Sequence, residues 1–139
     1  MENKDKGGRM SDLKQRTKLF ALSIIRLYSQ MPKTIEAQII GKQFLRSGTS
    51  VGAHYREASR ARSDAEFISK IEGGLQELEE TLYWLELVEE GNILRDETRR
   101  MKDEGGRMKD EIGKLKNEAN ELIAILVTCV KNVKSRGRK

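Results

Sequence analysis

His54 is the only histidine and Cys129 the only cysteine of the 139 residues. Those two facts remove much of the chemistry that helical proteins carry. One imidazole cannot make a His-pair metal site, and no Glu-x-x-His pattern of the di-iron bundles is present. One thiol cannot close an intrachain disulfide or build a multi-cysteine zinc site. His54 and Glu57 stand three residues apart, so on a helix they share a face. That spacing allows an acid–base pair, or more simply a polar contact where two helices meet. Ser47, Thr49 and Ser50 lack the histidine-plus-carboxylate set that would activate a hydroxyl. No phosphate-binding loop, dinucleotide fingerprint or zinc motif occurs. Cys129 falls on the apolar stripe of its helix, where a core thiol is expected rather than a reactive one. The expectation is a protein that is not an enzyme and holds neither cofactor nor metal.

Charge is the stronger signal. Residues 1–62 carry a net +8, residues 63–97 a net −9 and residues 98–139 a net +6, within an overall +5. One acidic segment lies between two basic ones. The basic candidates are Lys42, Arg46, Arg56, Arg60 and Arg62. Arg56 and Arg60 share a helix face, and Arg46 sits about 80° away on an adjoining one. Such a surface can follow a phosphate backbone, with salt-sensitive and sequence-tolerant binding. It can equally be consumed by Glu66, Glu72, Glu77, Glu79 or Glu80 of the next helix, within or between subunits. Tyr83 and Trp84 are adjacent, so both cannot face a core. With Leu87 and Val88 they form the candidate subunit contact.

These side chains must be held by helices. Apolar residues make up 37% and charged residues 35%, a balance suited to helices with one apolar stripe and charged outer faces. Ser11 is the expected N-cap of a first helix carrying Leu13, Phe20, Ile24, Leu27 and Met31, stopped by Pro32. Thr34 opens a second, in which Ala37, Gly41, Phe44, Gly48, Val51, Tyr55 and Ala58 alternate steps of four and three. Two stripe positions are glycine, each costing about 1 kcal/mol against alanine in a helix interior. Either another helix approaches closely there, or the helix is kinked near residues 47–50. Ser63-Asp64-Ala65-Glu66 is a capping box before Ile68, Ile71, Leu75, Leu78, Leu82 and Leu85, and Gly91-Asn92 closes that helix. A fourth carries Ile112, Leu115, Ala119, Leu122, Leu126, Cys129 and Val133. The prediction is all-α: a left-handed, up-down-up-down antiparallel four-helix bundle over residues 11–133. Residues 1–10 are a flexible lead-in and residues 134–139 a basic, disordered tail.

Met101-Lys-Asp-Glu-Gly-Gly-Arg recurs from Met108 as Met-Lys-Asp-Glu, with a degenerate copy at Lys4–Met10. One apolar residue in seven is too few for a coiled-coil seam. The stretch of about residues 99–112 therefore reads as a tolerated insertion, either lengthening the fourth helix or looping out. In both cases it should be exposed and mobile.

Three runs carry a resemblance: Phe44 to Ala58, Arg60 to Phe67 and Glu80 to Leu87, supported by Lys33-Thr34, Gln38 to Lys42 and Glu118 to Ile123. They resemble the bacterial four-helix bundle family encoded in intervening sequences of 23S rRNA genes, from about Leu13 to Val133. The resemblance implies a homopentameric ring with an association to nucleic acid, RNA being favoured. A related branch serves as accessory factor to the reverse transcriptase of diversity-generating retroelements, so it also implies a polymerase-type protein partner. Two features depart from the family pattern: His54 stands where asparagine is usual, and the heptad insertion lies outside it. The run Leu19 to Met31 is interrupted by Arg26 and too short to span a bilayer, and no stretch reads as a signal peptide. A cytoplasmic protein without membrane contact is expected.

Overall fold

The computed structural model describes the backbone of residues 2–94 and 102–136 and the side chains of residues 12–94 and 106–136. Among them are four helices and no strand: α1 (Glu2–Ser29), α2 (Ile35–Ser59), α3 (Asp64–Glu90) and α4 (Lys102–Arg136). α1 packs on α2 and α4, and α3 packs on the same two helices. None of the four is long and apolar enough to cross a membrane.

The local signals act as their chemistry requires. Thr34 caps α2 by accepting the Ala37 amide at 3.3 Å. Ser63 accepts the Glu66 amide at 3.0 Å, while the Glu66 carboxylate reaches back to the Arg62 amide at 3.2 Å. At the end of α3 the Gly91 amide bonds Leu87 O at 2.8 Å, and Asn92 takes the left-handed φ of 60° that closes the helix. α1 starts earlier than expected: Ser11 lies inside a helix running from Glu2.

The core is one apolar cluster fed by all four helices. It takes Leu13, Phe20, Ile24 and Leu27 from α1, Met31 from the turn after it, and from α2 every predicted stripe residue. α2 is continuous through residues 47–50, so its glycines serve close approach rather than a kink. A Cβ on Gly41 would fall 2.8 Å from the Tyr28 ring, and one on Gly48 would fall 2.8 Å from Ile24 Cγ1. No side chain fits there without displacing the half-buried Tyr28 or the buried Ile24.

The stripe of α3 is rotated from the expected one. Its fully buried residues are Ile71, Gly74, Leu78, Thr81, Leu85 and Val88, while Ile68, Leu75 and Leu82 lie on the flank. The expected set was the more hydrophobic; the actual one is chosen by fit. Gly74 leaves room for α2 and for His54, and Thr81 meets Ser47 in a buried hydroxyl pair at 2.7 Å. Thr81 also donates to Glu77 O at 2.8 Å, so this hydroxyl is satisfied. Thr17 does likewise on α1, donating to Leu13 O at 2.8 Å while fully buried.

α4 departs from expectation in three ways. Cys129 is half-buried on the flank and Val130 takes the core position. The helix continues to Arg136, because Val133 remains buried and cations in a last turn suit the helix dipole. Finally, the repeat extends the helix through Gly105-Gly106, and Met108 is buried at 3% exposure. An insertion of seven keeps the phase, so Met108 falls one turn before Ile112 and extends the same stripe. Residues 99–101 of the repeat lie outside the described residues, as does the end of the tail, 137–139.

Candidate nucleic-acid interface

α2 buries one side against α1 and α3 and turns the other outward. Lys42, Arg46 and Arg56 stand on that outer side, Arg60 caps its end and Arg62 follows in the turn to α3; all five are exposed. Between the cations lie Thr49, Ser50 and Ala53. The hydroxyls of Thr49 and Ser50 donate back to Leu45 O and Arg46 O at 2.7 Å each. They add no bulk that would hold a flat ligand away. From Lys42 to Arg60 the stripe is about 27 Å long at the rise of an α-helix.

The five cations divide into two kinds. Arg46 is tied to α3, with Nη2 2.7 Å from Glu80 Oε2 and Nη1 3.3 Å from Glu77. The Glu77 hydrogen bond first, then its charge and that of Glu80, raise the guanidinium's pKa. Arg46 therefore follows the alternative in which helix 3 consumes the cation. Lys42, Arg56, Arg60 and Arg62 make no side-chain ion pair among the described residues. Glu57, the acidic neighbour on α2, is engaged by Lys70 of α3 at 3.0 Å. That hydrogen bond, and then the ammonium charge, hold the Glu57 carboxyl below its ordinary pKa.

His54 does not pair with Glu57. Its ring lies over Gly73 of α3, where an added Cβ would come within 2.9 Å of Nδ1 and Cε1, and its own Cβ lies against Gly74. Nδ1 is buried and makes no hydrogen bond among the described residues. The imidazole fills a notch left by two glycines, a contact between helices without the hydrogen bond that the sequence suggested.

The candidate subunit contact is only partly assembled. Tyr83 is 54% exposed and meets the half-buried Trp84 edge-to-face at 5.1 Å between ring centroids. Leu87 is half-buried. Val88 is a correction: at 1% exposure it belongs to the core, since it continues the line Leu78, Thr81, Leu85. Tyr83 and Trp84 instead border an open groove of about 750 Å³ with Leu75, Glu79, Arg46 and Val127. Sequence reasoning missed the outer face of α1, where Leu19, Leu22 and Ile25 are 50%, 44% and 46% exposed. The signal was present as apolar residues on α1 that the stripe Leu13–Met31 did not use.

The profile of the 23S rRNA-intervening sequence protein family matches residues 9–128. This chain belongs to that family. The matched range takes in all of α2 and α3. A crystal structure of a protein of unknown function from the S23 ribosomal protein family, from Bacteroides thetaiotaomicron, is similar at 32% identity and a TM-score of 0.70. The likeness covers 88% of this chain and 97% of that one. No curated protein matches the chain.

Proposed function

We propose that this member of the 23S rRNA-intervening sequence protein family is a non-enzymatic, self-associating bundle. It holds the phosphate backbone of RNA along the outer side of α2. One observation carries the reading: four exposed cations on or just beyond that helix, Lys42, Arg56, Arg60 and Arg62, make no ion pair with a carboxylate among the described residues. Unpaired cations on a smooth helical surface are what sequence-independent phosphate binding needs. Arg46 has a smaller share, because it must leave Glu77 and Glu80 to reach a phosphate. Self-association repeats the stripe, so weak single contacts gain by avidity. A homopentamer in the bacterial cytoplasm is the assembly this reading takes from the family resemblance. The left-handed up-down-up-down arrangement belongs to the same reading. Gly41 against Tyr28, Gly48 against Ile24 and Gly52 against Thr17 support an antiparallel α1 and α2.

The test is binding of generic single-stranded RNA by fluorescence anisotropy between about 50 and 200 mM salt. Affinity should fall steeply over that range. Neutralising Lys42, Arg56, Arg60 and Arg62 together should lower the salt slope by about 3, near 0.7 per lost phosphate contact on a single strand. No binding at the lower salt, or an unchanged slope, removes the reading.

A second reading, an accessory scaffold for a polymerase-type protein, is favoured by the exposed Leu19, Leu22 and Ile25. Capture of one protein partner that survives nuclease treatment would support it.

A further inference from the structure

The outer faces of α1 and α3 are complementary in charge and in apolar content. On α3, Glu72, Glu79, Glu86 and Glu90 are all exposed on one side, at intervals of seven, seven and four, with no cation among them. Tyr83 rises from the middle of this stripe, beside the groove floored by Leu75 and Trp84. On α1, the outward sector holds the exposed Lys14, Lys18 and Arg26 around Leu19, Leu22 and Ile25. Its only described acid is Asp12, at the far end. Lys14 to Arg26 spans about 18 Å along the helix and Glu72 to Glu90 about 27 Å, so the basic row fits within the acidic one. Within one copy the faces cannot meet, because α1 and α3 do not pack on each other.

We infer that the outward face of α1 in one copy of this chain docks into the α3 groove, around Tyr83 and Trp84, of a second copy. Leu22 and its neighbours cover the aromatic floor while Lys14, Lys18 and Arg26 meet the glutamate row. Trp84 lines the groove, while its Nε1 is buried and has no acceptor among the described residues. Two different surfaces meet in this contact, so it is heterologous, and each copy retains one free donor face and one free acceptor face. Repetition then generates a ring where the rotation closes. Apart from Arg46, which borders the groove, the cations on the outer side of α2 are left uncovered. The inference rests on the self-association proposed above.

The experiment is light scattering on the full chain with single-face variants, each checked for native helicity and melting temperature. Leu22→Glu and Tyr83→Glu change exposed residues, so the fold should survive. Each alone should raise the association midpoint at least about tenfold, the equivalent of about 1.4 kcal/mol. Mixed in equal amounts they should give a one-to-one dimer and nothing larger, because one intact face remains on each copy. Reversing both charge rows in one chain, Lys14→Glu and Lys18→Glu with Glu72→Lys and Glu79→Lys, should restore association that either pair alone abolishes. A wild-type chain that stays monomeric would overturn self-association and this contact together. An oligomeric wild type whose variants assemble unchanged would overturn the contact alone, as would a mixture that stays monomeric.

Discussion

α2 and the first half of α4 both carry glycine inside a helix, and the two regions use it differently. On α2, Gly41 and Gly48 sit under the Tyr28 ring and the Ile24 side chain, and an added methyl would lie 2.8 Å from each. On α4, Gly106 and Gly113 have nothing within 4 Å of where a Cβ would stand. The first pair lets α1 come close. The second pair sits on a stretch whose contribution to the core comes from Met108 and Ile112. Equal helix propensity therefore conceals opposite roles: a glycine facing a neighbour is a contact, and one facing outward is a local weakness.

The largest test of that contrast is Gly48→Val, which should cost about 3 kcal/mol by forcing Ile24 out of place. Chemical denaturation would read it as a lower midpoint with an unchanged slope. An effect near zero would mean that the seam between α1 and α2 yields easily.

On the other side of the same helix, Ser47→Ala removes the buried hydroxyl pair with Thr81 and should cost about 1 kcal/mol. Adding Thr81→Val should cost little more, because the Thr81 hydroxyl left by Ser47→Ala keeps only its bond to Glu77 O within the same helix. A double mutant far below the single one would show that Thr81 gains more from Glu77 O than from Ser47.

Gly106→Ala should change sign against Gly48→Val and stabilise by up to about 1 kcal/mol. A loss there would mean that the repeat packs against something outside the described residues.

The smallest effect concerns the Glu57–Lys70 pair at the edge between α2 and α3. Lys70 holds the Glu57 carboxyl below its ordinary pKa. The stabilisation is present above that ordinary value and is lost as pH falls through the lowered one. Glu57→Gln should remove a slight part of the acid-induced fall in melting temperature and leave neutral pH nearly unchanged.

The legible part of the fold was local. Capping at Thr34 and Ser63 follows from side chains bonding backbone groups a few residues away, and the stop at Gly91-Asn92 from the Gly91 amide on Leu87 O and the left-handed φ of Asn92. The stripes of α1 and α2 were legible because steps of three and four return to one helix face. The stripe of α3 was misplaced for a reason that lies in its neighbour. A hydrophobic count favours Ile68, Leu75 and Leu82, but α2 presents Ser47 and His54, which fit Thr81 and the Gly73–Gly74 notch. Val130 displaced Cys129, and Val88 left the candidate interface for the core, through similar small rotations.

Of the candidate site, the sequence by itself determined which residues are cationic and that Arg56 and Arg60 share a face. Charge type and helical period are properties of one chain segment. Only the tertiary structure decided which cations are spent: Arg46 lies within reach of Glu77 and Glu80, while Lys42, Arg56, Arg60 and Arg62 pair with no carboxylate among the described residues. It also showed that Leu19, Leu22 and Ile25, apolar residues legible in the sequence, are left outside the core. Ion pairs between helices and the choice of an outward face depend on how α2 and α3 are rotated against each other. That rotation is set by glycines, hydroxyls and one histidine, and not by the hydrophobic pattern.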